Sequence, residues 1–163
     1  MTKREPQTAE ELLNAVGPAF GKLRRSSLLE VAGPISEKDL SRTLVLRIVL
    51  EAEQERTGEI TVGAVARHLG VDPSVASRMV SDCIAAGYLV RAASQQDGRR
   101  TVLHLSPEGR ELMARFARHQ RSAYDQVTAD WSEHERLEFA RLMIKYVASQ
   151  DGLSRRAEEH RRG

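Results

Sequence analysis

Apolar residues recur at helical spacing along most of this chain and switch to strand-like alternation only in one short stretch past its middle. Leu12, Leu13, Val16, Phe20, Leu23 and Val31 keep near-helical spacing, the mark of a helix with one buried stripe. Thr8-Ala9-Glu10-Glu11 predicts a capping box at its start, in which hydroxyl and carboxylate each satisfy a free N–H. Gly17-Pro18 predicts a kink or short break, and Gly33-Pro34 the end of the segment, because proline removes a ladder hydrogen bond and crowds the preceding turn. Ser36 with Asp39 opens a second helix through about Arg56, closed by Thr57-Gly58. Leu40, Leu44, Ile48 and Ala52 form its main stripe, widened by Val45 and Val49.

Beyond the middle the helical period returns. Ser106-Pro107 opens a long helix striped by Leu112, Met113, Phe116, Ala123, Tyr124 and Val127. Ser132-x-x-Glu135 is a second capping box. The helix after it carries Leu137, Phe139, Ala140, Leu142, Met143, Ile144, Tyr146 and Val147, apolar on more than one face. One small chain does not easily cover both faces. The pattern therefore predicts burial between two copies, with the first helix and the last two intertwined.

Residues 61–109 carry the most information. Thr61 can cap a short helix that stops at Gly70, with Val62, Val65, Ala66 and Leu69 on one face. Asp72-Pro73 restarts a helix, with Asp as N-cap and Pro where its missing N–H costs nothing. Val71 can staple its entry, and Gly87 stops it. Ala76, Met79, Val80, Cys83 and Ile84 form the buried face of this second helix. Its other face, Ser74, Val75, Ser77, Arg78 and Ser81, combines small side chains that allow close approach with an arginine. A guanidinium can grip guanine O6 and N7 together. An ordinary solvated face carries more Lys and Glu.

Two strands follow. Tyr88-Leu89-Val90 begins one and residues 101–105 form its partner, with Val102 and His104 alternating against Leu103 and Leu105. Asp97-Gly98 marks the turn, with Arg99 and Arg100 beside it as a compact positive tip. Such a tip suits a narrow minor groove, where negative potential is focused. Two helices, a tight turn and a basic hairpin make a winged helix-turn-helix, which sets one helix in the major groove of DNA. The predicted fold is mainly α with a small β-hairpin wing, a winged helix-turn-helix plus dimerisation helices. Its parts are N-terminal helices over 8–57, a DNA-binding lobe over 58–105, C-terminal dimerisation helices over 106–150 and a disordered tail over 151–163.

Asp72-Pro73-Ser74, Ser77-Arg78, Ala85-Ala86-Gly87-Tyr88-Leu89-Val90, Asp97-Gly98-Arg99-Arg100 and Leu105-Ser106-Pro107-Glu108-Gly109 follow in an order and at a spacing that resembles the multiple-antibiotic-resistance regulator (MarR) family. The motifs cover residues 61–109, and the flanking helices extend the resemblance over most of the chain. It implies a homodimeric repressor or activator on a palindromic operator in double-stranded DNA. It also implies that Arg99 enters the minor groove with Asp97 as its brace. A pocket between the dimerisation helices and the DNA-binding lobe, accepting a small-molecule effector such as an aromatic acid, is implied as well. Arg24 and Arg25 are candidates to hold its carboxylate; a surface ion pair or a phosphate contact is the other reading of them. Two departures stand out: Gln95-Gln96 replaces an acidic or proline-containing wing start, and Gly63 stands where a better helix former is common.

Composition narrows the rest. A net charge of +2 over 163 residues says little. Residues 61–105 hold arginines 67, 78, 91, 99 and 100 against acids 72, 82 and 97, so the DNA-facing surface is basic by position rather than in bulk. No apolar run is long enough to span a bilayer and no signal peptide opens the chain, which predicts a soluble, cytoplasmic protein with no membrane partner. A single cysteine excludes an internal disulfide framework. Cys83 falls on the buried face with Met79 and Gly87 one turn away, the setting of a structural thiol; a redox-sensing regulator is the alternative. The histidines form no metal motif: after His134-Glu135, Glu138 stands where a second His is needed. There is no phosphate-binding glycine loop and no nucleophile elbow, so neither a catalytic residue nor a cofactor is expected. The function predicted is sequence-specific transcriptional regulation, with a winged-helix protein–protein module that never touches DNA as the competing class.

Overall fold

The computed structural model describes residues 8–25, 36–55 and 58–162. The elements are α1 (Ala9–Arg25), α2 (Glu37–Glu55), α3 (Val62–Leu69), α4 (Pro73–Ala85), β1 (Leu89–Ala93), β2 (Thr101–Leu105), α5 (Pro107–Val127) and α6 (Glu133–Arg162). They form two compact units whose boundary falls within α5, between Ala123 and Tyr124.

In the first unit, caps set the helix ends. Glu11 N–H donates to Thr8 Oγ1 at 3.2 Å and Thr8 N–H to Glu11 Oε2 at 2.7 Å, closing the expected box. Ser36 Oγ accepts from Asp39 N–H at 3.0 Å at the start of α2. Thr61 Oγ1 caps α3 by accepting from Ala64 N–H at 3.2 Å. α3 and α4 end alike. Gly70 (φ 64°) and Gly87 (φ 80°) adopt the left-handed conformation, which costs glycine nothing. The next residues, Val71 and Tyr88, then donate back to Ala66 O and Cys83 O at 3.1 and 2.9 Å, satisfying carbonyls the helix leaves free.

The core joins Val45, Leu46 and Val49 of α2, Val65 and Ala66 of α3, Ala76, Val80 and Cys83 of α4, Leu89, Leu103 and Leu105 of the hairpin, and Leu112, Met113 and Phe116 of α5. β1 and β2 pair antiparallel in the register Leu89↔Leu105 to Ala93↔Thr101. Ile60 adds an antiparallel bridge to Leu103, whose N–H donates to Ile60 O at 2.8 Å.

Several expectations need correction. α1 is helical through Gly17-Pro18, with no break; one lost ladder bond does not end a helix with turns on both sides. Val31 and Gly33-Pro34, like Arg56 and Thr57, lie outside the described residues. On α2 the buried stripe is Val45, Leu46, Val49 and Ala52, while Leu44 is 53% exposed: α3, α4 and β2 all pack on one side, and Leu44 falls off it. On α5, Val127 is exposed. Val102 is buried although His104, on the same face, is exposed, so alternation along β2 does not by itself set burial. The end of the chain, expected to be disordered, continues α6 to Arg162. Its Ala, Glu, Arg and Leu residues are good helix formers and extend an existing helix without a new nucleation cost.

The second unit is an elbow and a long helix. Tyr124 Oη donates to Arg136 O at 2.6 Å and Thr128 Oγ1 to Tyr124 O at 2.8 Å. Trp131 packs edge-on against Phe139, with ring centroids 5.4 Å apart. Ser132 and Glu135 form the second capping box, with N–H contacts of 2.8 and 3.3 Å. Leu137, Leu142, Ile144, Tyr146 and Val147 of α6 are exposed, as are Leu12, Leu13, Val16 and Leu23 of α1. No helix among the described residues is long and apolar enough to cross a membrane.

Candidate nucleic-acid interface

α4 presents the face its sequence implied. Ala76, Val80 and Cys83 are buried, whereas Ser74, Ser77, Arg78 and Ser81 are exposed. Val75 is half-buried, at the border between the two faces. Asp72 starts the helix: its Oδ1 accepts from Ser74 N–H at 2.8 Å. The Ser74 hydroxyl, and then that N–H, hold the Asp72 carboxyl below its ordinary range. Part of the hydrogen-bonding capacity of Ser74 is thus committed to the cap. Arg78 and Ser81, further along, belong to no cap.

One residue absent from the sequence reading anchors this helix. Arg42 on α2 donates from Nε to Asp82 Oδ2 at 2.7 Å and from Nη1 to Asp39 Oδ1 at 3.0 Å. Its guanidinium lies over the Tyr88 ring, 5.6 Å from the centroid. Only 14% of the side chain is exposed, so this charge-assisted contact is better shielded than a surface pair. The hydrogen bond from Arg42 holds the Asp82 carboxyl below its ordinary range, and Asp82 in turn raises the Arg42 pKa. Lys38 Nζ stands 3.9 Å from Asp82 Oδ1. Arg42 thereby ties the back of α4 to α2 and to the corner leading into β1.

Cys83 lies beneath this anchor. It is buried, with Sγ 4.0 Å from the Arg42 carbonyl oxygen. Burial and then the Asp82 charge push its pKa up to about 11, against a smaller opposing pull from Arg42. At neutral pH it is a protonated thiol packed in the core, a poor nucleophile.

The wing is a closed hydrogen-bonded loop. Ser94 N–H donates to Arg100 O and Arg100 N–H to Asp97 O, both at 2.8 Å. Asp97 Oδ1 accepts from Arg99 N–H at 3.1 Å, so Asp97 braces the backbone of Arg99. Asp97, Arg99 and Arg100 are all exposed. The base of the loop rests on Glu59, which the sequence reading also missed. Glu59 Oε1 accepts from Gln95 N–H at 2.7 Å, and Oε2 accepts from the Ser94 hydroxyl. Ser94 Oγ accepts in turn from Gln96 N–H at 3.1 Å and Asp97 N–H at 2.9 Å. The Ser94 hydroxyl, followed by the Gln95 and Gln96 N–H groups and the Arg100 charge, holds the Glu59 carboxyl below its ordinary range. The spacing Ser94-x-x-Asp97, a serine turn, was the available signal for half of this network; Glu59 had none.

Arg24 and Arg25 close α1, and their side chains lie outside the described residues. His104 Nδ1 lies 3.3 Å from Glu53 Oε1, which Leu105 N–H also approaches at 3.3 Å; Arg110 Nη2 reaches Glu53 Oε2 at 2.7 Å. Among the described residues no group of three His, Cys, Asp or Glu side chains is arranged to hold a metal ion.

Comparison with known proteins agrees with this geometry. Among solved structures, the chain is similar to RV1404 from Mycobacterium tuberculosis, at 19% identity and a TM-score of 0.61, over 90% of this chain and 97% of that one. It is similar to Streptococcus pneumoniae FabT, solved in complex with DNA, at 18% identity and a TM-score of 0.57, over 90% and 99%. It is also similar to the PcaV transcriptional regulator from Streptomyces coelicolor, solved with its natural ligand, at 23% identity and a TM-score of 0.54, over 88% and 98%. These likenesses are likenesses of fold. A search of curated proteins finds no match. The MarR family model matches residues 39–100, which hold most of α2, the helix-turn-helix and the wing loop.

Proposed function

We propose that the protein is a cytoplasmic, sequence-specific DNA-binding transcriptional regulator, not an enzyme, that acts as a homodimer on a palindromic operator. The observation that carries this reading is the exposed face of α4, small hydroxyls around Arg78, in one compact unit with an arginine-tipped wing. Arg78 reads base edges in the major groove. Arg99 enters the minor groove, with Arg100 on the adjacent backbone and Asp97 holding the tip. Ser74, Val75, Ser77 and Ser81 line the groove wall. The uncovered apolar faces of α1 and α6 support a dimer of intertwined helices, which would set two half-sites about one helical turn apart. That FabT was solved with DNA and PcaV with its natural ligand supports both a DNA partner and a small-molecule effector. The default action is repression, relieved when an aromatic acid binds the DNA-incompetent spacing of the lobes more tightly than the competent one. Arg24 and Arg25 are the candidates to hold its carboxylate. The buried Cys83 disfavours thiol sensing.

The test is fluorescence anisotropy with duplexes tiled across the upstream region of the gene, at several salt concentrations. One palindromic duplex should bind saturably and well above a scrambled control. Arg78→Ala should relax sequence preference, at a cost of about 1–3 kcal/mol at one base position. Arg99→Ala should weaken binding and flatten its salt dependence. Equal, weak binding to every duplex would instead favour a protein-binding winged helix.

A further inference from the structure

We propose that Glu59 and Ser94 are positioning residues for the wing, fixing the loop over residues 94–100 before DNA arrives and thereby presenting Arg99. The proposal rests on the DNA-binding reading of the wing and adds the device that sets its shape.

Glu59 lies outside the hairpin in sequence but is delivered to its base. The neighbouring Ile60 is zipped onto β2 by the Leu103 N–H···O bond of 2.8 Å, which leaves the Glu59 side chain at the root of the loop. Its two oxygens then take separate donors, Gln95 N–H and the Ser94 hydroxyl. Ser94 is buried, and its oxygen collects the N–H groups of Gln96 and Asp97. With the bonds from Arg99 N–H and Arg100 N–H to Asp97, the N–H groups of Ser94, Gln95, Gln96, Asp97, Arg99 and Arg100 all have acceptors inside the loop or on Glu59. A wing without this network would have to be ordered when DNA binds, and that ordering subtracts from affinity.

The sign of the effect separates positioning from bulk charge. A carboxylate near DNA repels phosphate, so its removal should tighten binding if charge alone mattered. The positioning role demands the reverse. Amide hydrogen exchange is measured first, on the full chain without DNA. Glu59→Ala and Ser94→Ala should each speed exchange at Gln95, Gln96 and Asp97 while leaving exchange in α4 as it was. Unchanged exchange in the wing would overturn the proposal whatever the protein does with DNA.

Anisotropy on the selected duplex follows. Glu59→Ala should weaken binding about three- to tenfold, the cost of ordering a short loop on binding, and should weaken it clearly less in an Arg99→Ala background, where only Arg100 is left for the loop to present. Tighter binding, or equal weakening in both backgrounds, would overturn the positioning role. If exchange changes as expected but wild type binds no duplex, or Arg99→Ala binds like wild type, the DNA-binding reading of the wing fails and the positioning role fails with it.

Discussion

Replacing Gly109 with alanine should destabilise the first unit although it adds one methyl to a helix. Gly109 is buried in the first turn of α5. An added Cβ would stand 2.1 Å from Tyr88 O, 3.0 Å from Tyr88 C and 3.2 Å from Leu105 Cδ2. A carbon and a carbonyl oxygen approach no closer than about 3.3 Å even in favourable C–H···O contacts, so the overlap is about 1 Å. The obstacle is backbone, and it is held. Tyr88 O accepts from Ser106 N–H at 3.1 Å, and Tyr88 N–H is bound to Cys83 O at 2.9 Å. On the other side, Gly109 N–H donates to Ser106 Oγ at 3.0 Å, and that hydroxyl donates to Gly87 O at 2.5 Å. Relief therefore requires α5 to lift off the corner between α4 and β1. Overpacking costs about 1–3 kcal/mol and the strained hydrogen bond about 1 kcal/mol, against a gain of up to about 1 kcal/mol from exchanging glycine for alanine in a helix. The net loss is about 2 kcal/mol, and at about 2–4 °C per kcal/mol for a chain of this size the melting temperature falls by about 4–8 °C. Circular dichroism melts at one fixed protein concentration measure this, since association also shifts the midpoint. Gly63→Ala is the control: its Cβ meets only Arg67 Nη1 and Thr61 Oγ1, each at 3.8 Å, and should stabilise by about 0.5 kcal/mol. A Gly109→Ala protein that melts with or above wild type would refute the close-approach argument.

Other perturbations probe the rest of the molecule. Arg42→Met keeps the aliphatic stem but leaves Asp39 and Asp82 without their shared cation; the melting temperature should fall by about 3–6 °C and operator affinity should drop with it. Asp82 is depressed in the fold, so its contribution is present above its unfolded pKa and is lost as pH falls through its lowered folded value. In Arg42→Met the loss of stability below about pH 4 should therefore be shallower than in wild type, as acid titration of the melts would show. Cys83, with its pKa pushed up to about 11, should react with a thiol reagent at pH 8 only as fast as the core opens, and at once in urea; rapid native labelling would restore the sensing role. Ile144 on α6 is 72% exposed; if the proposed homodimer uses this face, Ile144→Glu should give monomer by light scattering, whereas a dimer unchanged by the substitution would place the interface elsewhere.

The helix-turn-helix was the part most fully legible. Thr61, Gly70, Asp72-Pro73 and Gly87 act through local backbone chemistry, so their meaning does not depend on distant residues, and each cap and stop stands where its sequence put it. The two capping boxes were legible for the same reason, while the strand alternation failed at Val102, which is buried. Periodicity also separated the buried from the exposed side of α4. It did less well on α2, where Leu44 and Val45 both fit a stripe and only the positions of α3, α4 and β2 decide that Val45 is the buried one. The charged end of the chain misled because lack of an apolar stripe argues against packing, not against helix.

Arg42, Glu59 and the close approach at Gly109 were beyond reach of the sequence. Arg42 meets Asp82 across 40 positions and Glu59 meets Ser94 across 35; the chain offers many Arg, Asp, Glu and Ser residues that could have paired. An ion pair or a hydrogen bond between side chains becomes specific only when the backbone has brought its partners within about 3 Å. Sequence determined which segment forms a winged helix-turn-helix and which face of α4 looks outward, because those follow from dihedral preferences and helical period. Tertiary structure alone decided what holds that face at its angle and what holds the wing in shape, because both depend on contacts between segments that local rules place independently.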